Sequence, residues 1–94
     1  MKRFRATFGE TDCEVHIEER ADPRGVPNSI GRMYRWEPVL RLWSLIGTEF
    51  ATGSDSMTRD RAQLLFSSRF GPMQEPGFLE VSRQPEPAQI AQHR

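Results

Sequence analysis

Residues 3–8 and 13–19 alternate apolar and polar side chains at period two on either side of the turn-forming stretch Gly9-Glu10-Thr11-Asp12. That spacing belongs to a strand with one face buried, so the two segments predict a β-hairpin. With Phe8 set opposite Cys13, Ala6 faces Val15 and Phe4 faces Ile17, and every apolar side chain of the pair falls on one face. The other face then carries Arg3, Arg5 and Thr7 beside Glu14, His16 and Glu18. A basic strand lies against an acidic one, and the charges answer each other across the ladder.

Residues 20–31, with Pro23, Gly25, Pro27, Asn28 and Gly31, hold neither strand nor helix periodicity and predict a long loop. A short strand follows over Arg32 to Trp36, ended by Pro38. Val39 to Ile46 has apolar groups on both faces, as a central strand does, and Gly47 marks a turn or bulge before Thr48 to Thr52. Gly53-Ser54-Asp55-Ser56 supplies the start of a helix over about 57–70, because a Ser or Asp side chain accepts the free N–H groups of a first turn. Gly71 and Pro72 stop it. Ala62, Leu65, Phe66 and Phe70 share its core-facing stripe. Met57 and Leu64 lie to one side, so either the buried arc is wide or they begin an exposed apolar patch.

Phe78 to Ser82 predicts a last strand, and the Pro-rich polar run 84–94 reads as a disordered tail. The expected fold is α+β. A small antiparallel sheet, made of the N-terminal hairpin and two to four further strands, packs on one helix in the C-terminal half. Residues 1–83 form a single domain, the size that a chain of 94 residues allows.

Thirteen basic and thirteen acidic side chains cancel, so any electrostatic binding must come from a local patch rather than a whole-molecule field. Twelve of those thirteen cations are Arg, a skew that suits planar, stacking contacts and equally suits a GC-biased coding sequence. The single Cys13 excludes an intramolecular disulfide and a multi-cysteine zinc site, which fits a reducing compartment. Met1-Lys2-Arg3-Phe4-Arg5 has no apolar run behind it, and the stretch Val39 to Ile46 is too short to span a bilayer. A cytoplasmic location, with no membrane partner, is expected.

Cys13 and His16 invite a thiol–imidazole pairing, but residues an odd number apart on one strand point to opposite faces. Two histidines and one cysteine on separate elements do not make a metal-ligand set. Neither GxGxxG nor GxxxxGK occurs, and no serine sits in a nucleophile elbow. Asp55 and Asp60 flank the helix start, where the helix dipole favours them without any catalytic task. No enzyme activity, cofactor or metal is expected.

Arg32, Tyr34, Arg35 and Trp36, followed by Arg41 and Trp43, interleave cations with rings. Such a face binds nucleic acid by contacting phosphates and stacking bases, with Arg59 and Arg61 near the helix start as further contacts. Trp36 and Trp43 are equally ordinary core residues of strands. Arg32-Met33-Tyr34, Trp43-Ser44-Leu45-Ile46-Gly47-Thr48, Asp60-Arg61-Ala62 and Gly77-Phe78 together resemble, over residues 32–82, the WGR domain. The resemblance implies a small sheet-and-helix module of the kind attached to nucleic-acid-associated proteins. Ser44-Leu45 stands where that family has Gly-Arg.

The function expected from these residues is that of a non-catalytic interaction module working through protein–protein contact. Its partner is another protein or a second copy in a twofold dimer, and Met57, Arg61 and Leu64 are the candidate interface. The alternative is nucleic-acid binding through Arg32, Tyr34, Arg35, Trp36 and Arg41.

Overall fold

Gly9 turns the first hairpin. Its φ of 60° is the left-handed conformation that a two-residue hairpin loop demands, so the connection is Gly9-Glu10 alone. In the computed structural model, which describes residues 1–81 and 90–91, β1 (Lys2–Phe8) and β2 (Thr11–Ala21) therefore pair with Phe8 opposite Thr11, Ala6 opposite Cys13 and Phe4 opposite Val15. The register differs from the predicted one because Thr11 and Asp12 belong to the strand rather than the turn. The slip is two residues, and a slip of two leaves every side chain on its expected face.

Three further strands continue the sheet: β3 (Pro27–Glu37), β4 (Leu42–Thr52) and the short β5 (Leu79–Glu80). The order β5-β1-β2-β3-β4 is antiparallel throughout, and β6 (Ile90–Ala91) lies parallel to β4 beside Trp43 and Ser44. A five-stranded antiparallel sheet on one helix is the α+β fold expected. Apart from Ile90 and Ala91, the tail predicted for 84–94 lies outside the described residues.

Two segments differ from expectation. The long loop shrinks to residues 22–26, because β2 runs on to Ala21 and Pro27 begins β3 opposite it. Proline is tolerated at the first residue of a strand, and Asn28 and Gly31 both sit inside the ladder. Gly31 is there for space: a Cβ would come within 2.6 Å of Thr58 Cγ2 and 2.9 Å of Phe50 Cζ. The predicted central strand begins only at Leu42, since Pro38 to Arg41 form the β3–β4 turn, closed by the Arg41 N–H donating to the Glu37 carbonyl at 2.6 Å. Val39, read as a strand residue, stands 91% exposed at the turn's tip.

The helix α1 (Asp55–Phe70) starts two residues earlier than predicted. Ser54 caps it, its Oγ accepting the Met57 N–H at 3.1 Å. Asp55 ties the first turn to the sheet, accepting from Ser29 Oγ at 2.8 Å and pairing with Lys2 Nζ at 3.2 Å. At the far end Gly71, at φ 118°, stops the helix, and its Pro72 neighbour's carbonyl accepts the Gly9 N–H at 2.9 Å. The helix thus lies clamped along one sheet face.

Between them sits the core. Ala62 and Phe66 press on Phe4, Ala6, Phe8, Cys13, Val15, Ile17, Met33 and Ile46, with the Phe66 ring 5.1 Å from that of Phe8. Phe78 closes the β1 side, its ring 5.9 Å from Phe8 and 6.5 Å from Phe66. Thr58 is also fully buried, satisfied by the Ser54 carbonyl and Thr52 Oγ1. No helix is long and apolar enough to cross a membrane among the described residues.

Candidate interaction surface

Three surfaces carry the side chains singled out by the sequence. The first is the sheet face turned away from α1. Here Glu14, fully buried, gathers the charges of the hairpin. Arg3 Nε donates to its Oε1 at 3.2 Å, Arg5 Nε to its Oε2 at 2.8 Å, and Arg5 Nη2 makes a further close contact with Oε2. His16 Nε2 lies 2.8 Å from Oε1, and since a carboxylate only accepts, that nitrogen carries the proton. Burial alone would raise the Glu14 pKa, but the bonds from His16, Arg3 and Arg5, with the charge of Arg5, bring it down to about 2.

The predicted cancellation of strand charges is therefore real, but its setting is not the expected one. His16 is a buried residue, 4.3 Å from the ring of Tyr34, rather than a surface histidine among charges. Its ring points away from α1 while Cys13 points toward it, so the thiol and imidazole occupy opposite faces of β2. Burial, aided by the Asp12 charge and opposed by Arg35, pushes the Cys13 thiol up to about 12. A protonated thiol buried among the core residues packs as a small hydrophobe.

The second surface is the Arg/aromatic series. Arg32, Tyr34 and Trp36 share the face away from the helix, whereas Arg35, opposite Cys13, projects to the helix side. Tyr34 is buried, and Arg32 is held by Glu49 at 3.1 Å and Glu18 at 3.6 Å. Arg35 donates to Glu37 at 3.2 Å and stacks 5.5 Å over Phe70. Trp36 and Trp43 pack edge to face at 5.4 Å, with Arg5 lying 5.1 Å over Trp43. Their shallow pocket of about 240 Å³ is completed by the Asp12 carboxylate, which repels phosphate. Arg41 stands exposed in the β3–β4 turn, away from this pocket.

The third surface is the outer flank of α1. Of the predicted interface residues, Met57 is 56% and Leu64 70% exposed, and Arg61 beside them is exposed with its guanidinium 5.4 Å over Phe50 of β4. Positions 57, 61, 64 and 68 fall within one narrow arc of a helical wheel, so these side chains form a continuous stripe. Leu65, assigned by sequence to the core stripe, is 40% exposed and widens it toward β4. There the stripe meets a cleft of about 260 Å³ lined by Met33, Ile46, Gly47, Leu65, Ser68 and Arg69.

Strand edges separate this side of the molecule from the other. The outer edge of β1 is sealed by Glu80 and Leu79, by the Val81 and Gln74 N–H groups donating to Arg3 and Thr7 carbonyls at 2.8 Å, and by Glu75 capping the Thr7 N–H. The outer edge of β4 has a strand partner only at Trp43 and Ser44 among the described residues. From Leu45 to Thr52 it has no strand partner among the described residues, and Leu65 of α1 meets it at the cleft shared with Ile46 and Gly47. Sequence periodicity located Met57 and Leu64 but not this edge, because strand order is not written in periodicity.

No family model matches the chain, and neither a curated protein nor a solved structure matches it.

Proposed function

We propose that the chain is a non-catalytic interaction module of the cytoplasm that works through protein–protein contact on the α1 flank. One observation carries this reading: Met57, Leu64 and Leu65 remain exposed along α1, with Leu65 at the cleft beside a β4 edge that has no strand partner from Leu45 to Thr52 among the described residues, while the rest of the apolar side chains of α1 are packed. Exposed large apolar groups in single file are common, but a contiguous stripe bordering unpaired backbone has the composition of an interface core. The nucleic-acid alternative has less support. Of its five candidate residues Tyr34 is buried, Arg32 and Arg35 are paired with carboxylates, and Arg35 faces away from the others.

The test is the double substitution Met57→Asp with Leu64→Asp. Both positions are exposed, so the variant should keep the wild-type circular dichroism and lose no more than about 1 kcal/mol of stability. It should lose the proteins that co-purify with the wild type from its own cells, or, if the contact is with a second copy, the dimer seen by sedimentation velocity. Identical partners and identical sedimentation for the two proteins would remove the flank from consideration.

A further inference from the structure

The β4 edge from Leu45 to Thr52, which has no strand partner among the described residues, lies with the cleft under Leu65 and with Arg61 and Arg69 of α1, and we infer that they form a docking groove for an extended acidic–apolar peptide segment of a partner protein. The peptide adds to β4 as a strand. This rests on the interaction reading above and names its partner chemistry.

Backbone comes first. Between Leu45 and Thr52 the outward N–H and C=O groups of β4 have no strand partner among the described residues, and an extended peptide satisfies them by continuing the antiparallel ladder. Gly47, at φ 68°, bulges this stretch, with nothing within 4 Å of where its Cβ would stand.

Side chains then select. Ile46 lies on the helix-facing side of β4, opposite Met33, and both floor the cleft that Leu65 and Arg69 wall. Cross-strand neighbours share a face with their Cβ atoms about 5 Å apart. A peptide residue registered against Ile46 consequently drops its side chain into the 260 Å³ cleft, and an apolar one fills it.

Charge supplies the third element. Arg3, Arg5, Arg20, Arg24, Arg32 and Arg35 of the sheet and its loop each have a carboxylate within 4 Å. Arg61 and Arg69 on α1 have none among the described residues and instead lie over the rings of Phe50 and Phe70 at 5.4 and 5.5 Å. Arg69, which lines the apolar cleft, and Arg61, over Phe50 of the same strand, have no counter-charge among the described residues and complement carboxylates that flank an apolar anchor.

Fluorescence anisotropy with a short labelled peptide alternating leucine and glutamate, compared with its leucine–lysine counterpart, tests the assignment. The glutamate peptide should bind saturably and shift the β4 amide resonances of residues 45–52 together with those of Leu65 and Arg69. Arg69→Glu, an exposed substitution, should weaken it roughly tenfold or more. Equal binding of both peptides, no binding of either, or shifts confined to other strands would overturn the groove while leaving the flank of α1 intact as an interface. Concentration-dependent shifts of the same β4 amides without any peptide would make a second copy the occupant and overturn the peptide assignment. Loss of partner contact in neither the Asp double variant nor Arg69→Glu would instead remove the underlying reading.

Discussion

Glu14→Ala should lower folding stability by about 3–5 kcal/mol, the range for breaking a buried ion pair by removing one partner. The carboxylate is the shared acceptor for Arg3, Arg5 and His16, and Arg3 and His16 are themselves buried, so its removal takes a charged acceptor from a guanidinium largely shielded from water. For a domain of this size the loss corresponds to a fall in Tm on the order of 25 °C. The same residue fixes a pH dependence. A carboxylate whose pKa is lowered by folding, here to about 2, contributes stability that is fully present above the ordinary value of 4.5 and is lost as pH falls toward 2. Thermal melts between pH 6 and pH 2 should therefore show the wild type approaching the variant as acid is added. A constant gap across that range would show that Glu14 does not act through its charge.

Phe66→Ala should cost a similar amount, about 3–5 kcal/mol, by a different route. Its ring is fully buried at the centre of the layer between helix and sheet, touching Phe8 and Phe78, and nothing adjacent is free to refill the space. Leu64→Ala, two positions earlier on the same helix, should change stability by less than about 0.5 kcal/mol, since that side chain meets solvent. Urea denaturation of the two variants side by side gives the contrast. Equal losses would mean that α1 buries a different face.

The sequence made the faces of the sheet legible and left its extent obscure, for a physical reason. Alternation assigns each side chain to one side of a strand regardless of where the turn falls, so the hairpin register could slip by two residues without moving Phe4, Glu14 or His16 to the wrong face. Turn residues mislead in the opposite way. Pro27, Asn28 and Gly31 carry loop propensities, yet Gly31 serves to let Thr58 and Phe50 approach the sheet, a requirement that exists only once α1 is docked. Val39 and Leu40 read as strand for the same reason: propensity counts their apolar side chains, whereas the backbone turns at Pro38 and Arg41, the latter at φ 59°.

The candidate surface was legible in part. Met57 and Leu64 fell off the helical stripe by angle alone, and they are exposed. Leu65 fell on that stripe and is nevertheless at the rim of the cleft, because the buried arc is centred on Ala62 and Phe66 and is narrower than the apolar arc. The buried character of Glu14 and His16 had only a faint signal, a pair of arginines spaced two apart facing a carboxylate and an imidazole spaced two apart. Such a pattern is equally that of a solvated salt-bridge ladder, and only tertiary covering distinguishes them.

Site-specific photo-crosslinking in the protein's own cells addresses the central claim most directly. With benzoylphenylalanine in place of Leu64, irradiation should give a discrete adduct of higher mass. The same group in place of Arg24, exposed in the loop between β2 and β3, should give none. No adduct from position 64, or the same adducts from both positions, would contradict a contact surface on the flank of α1.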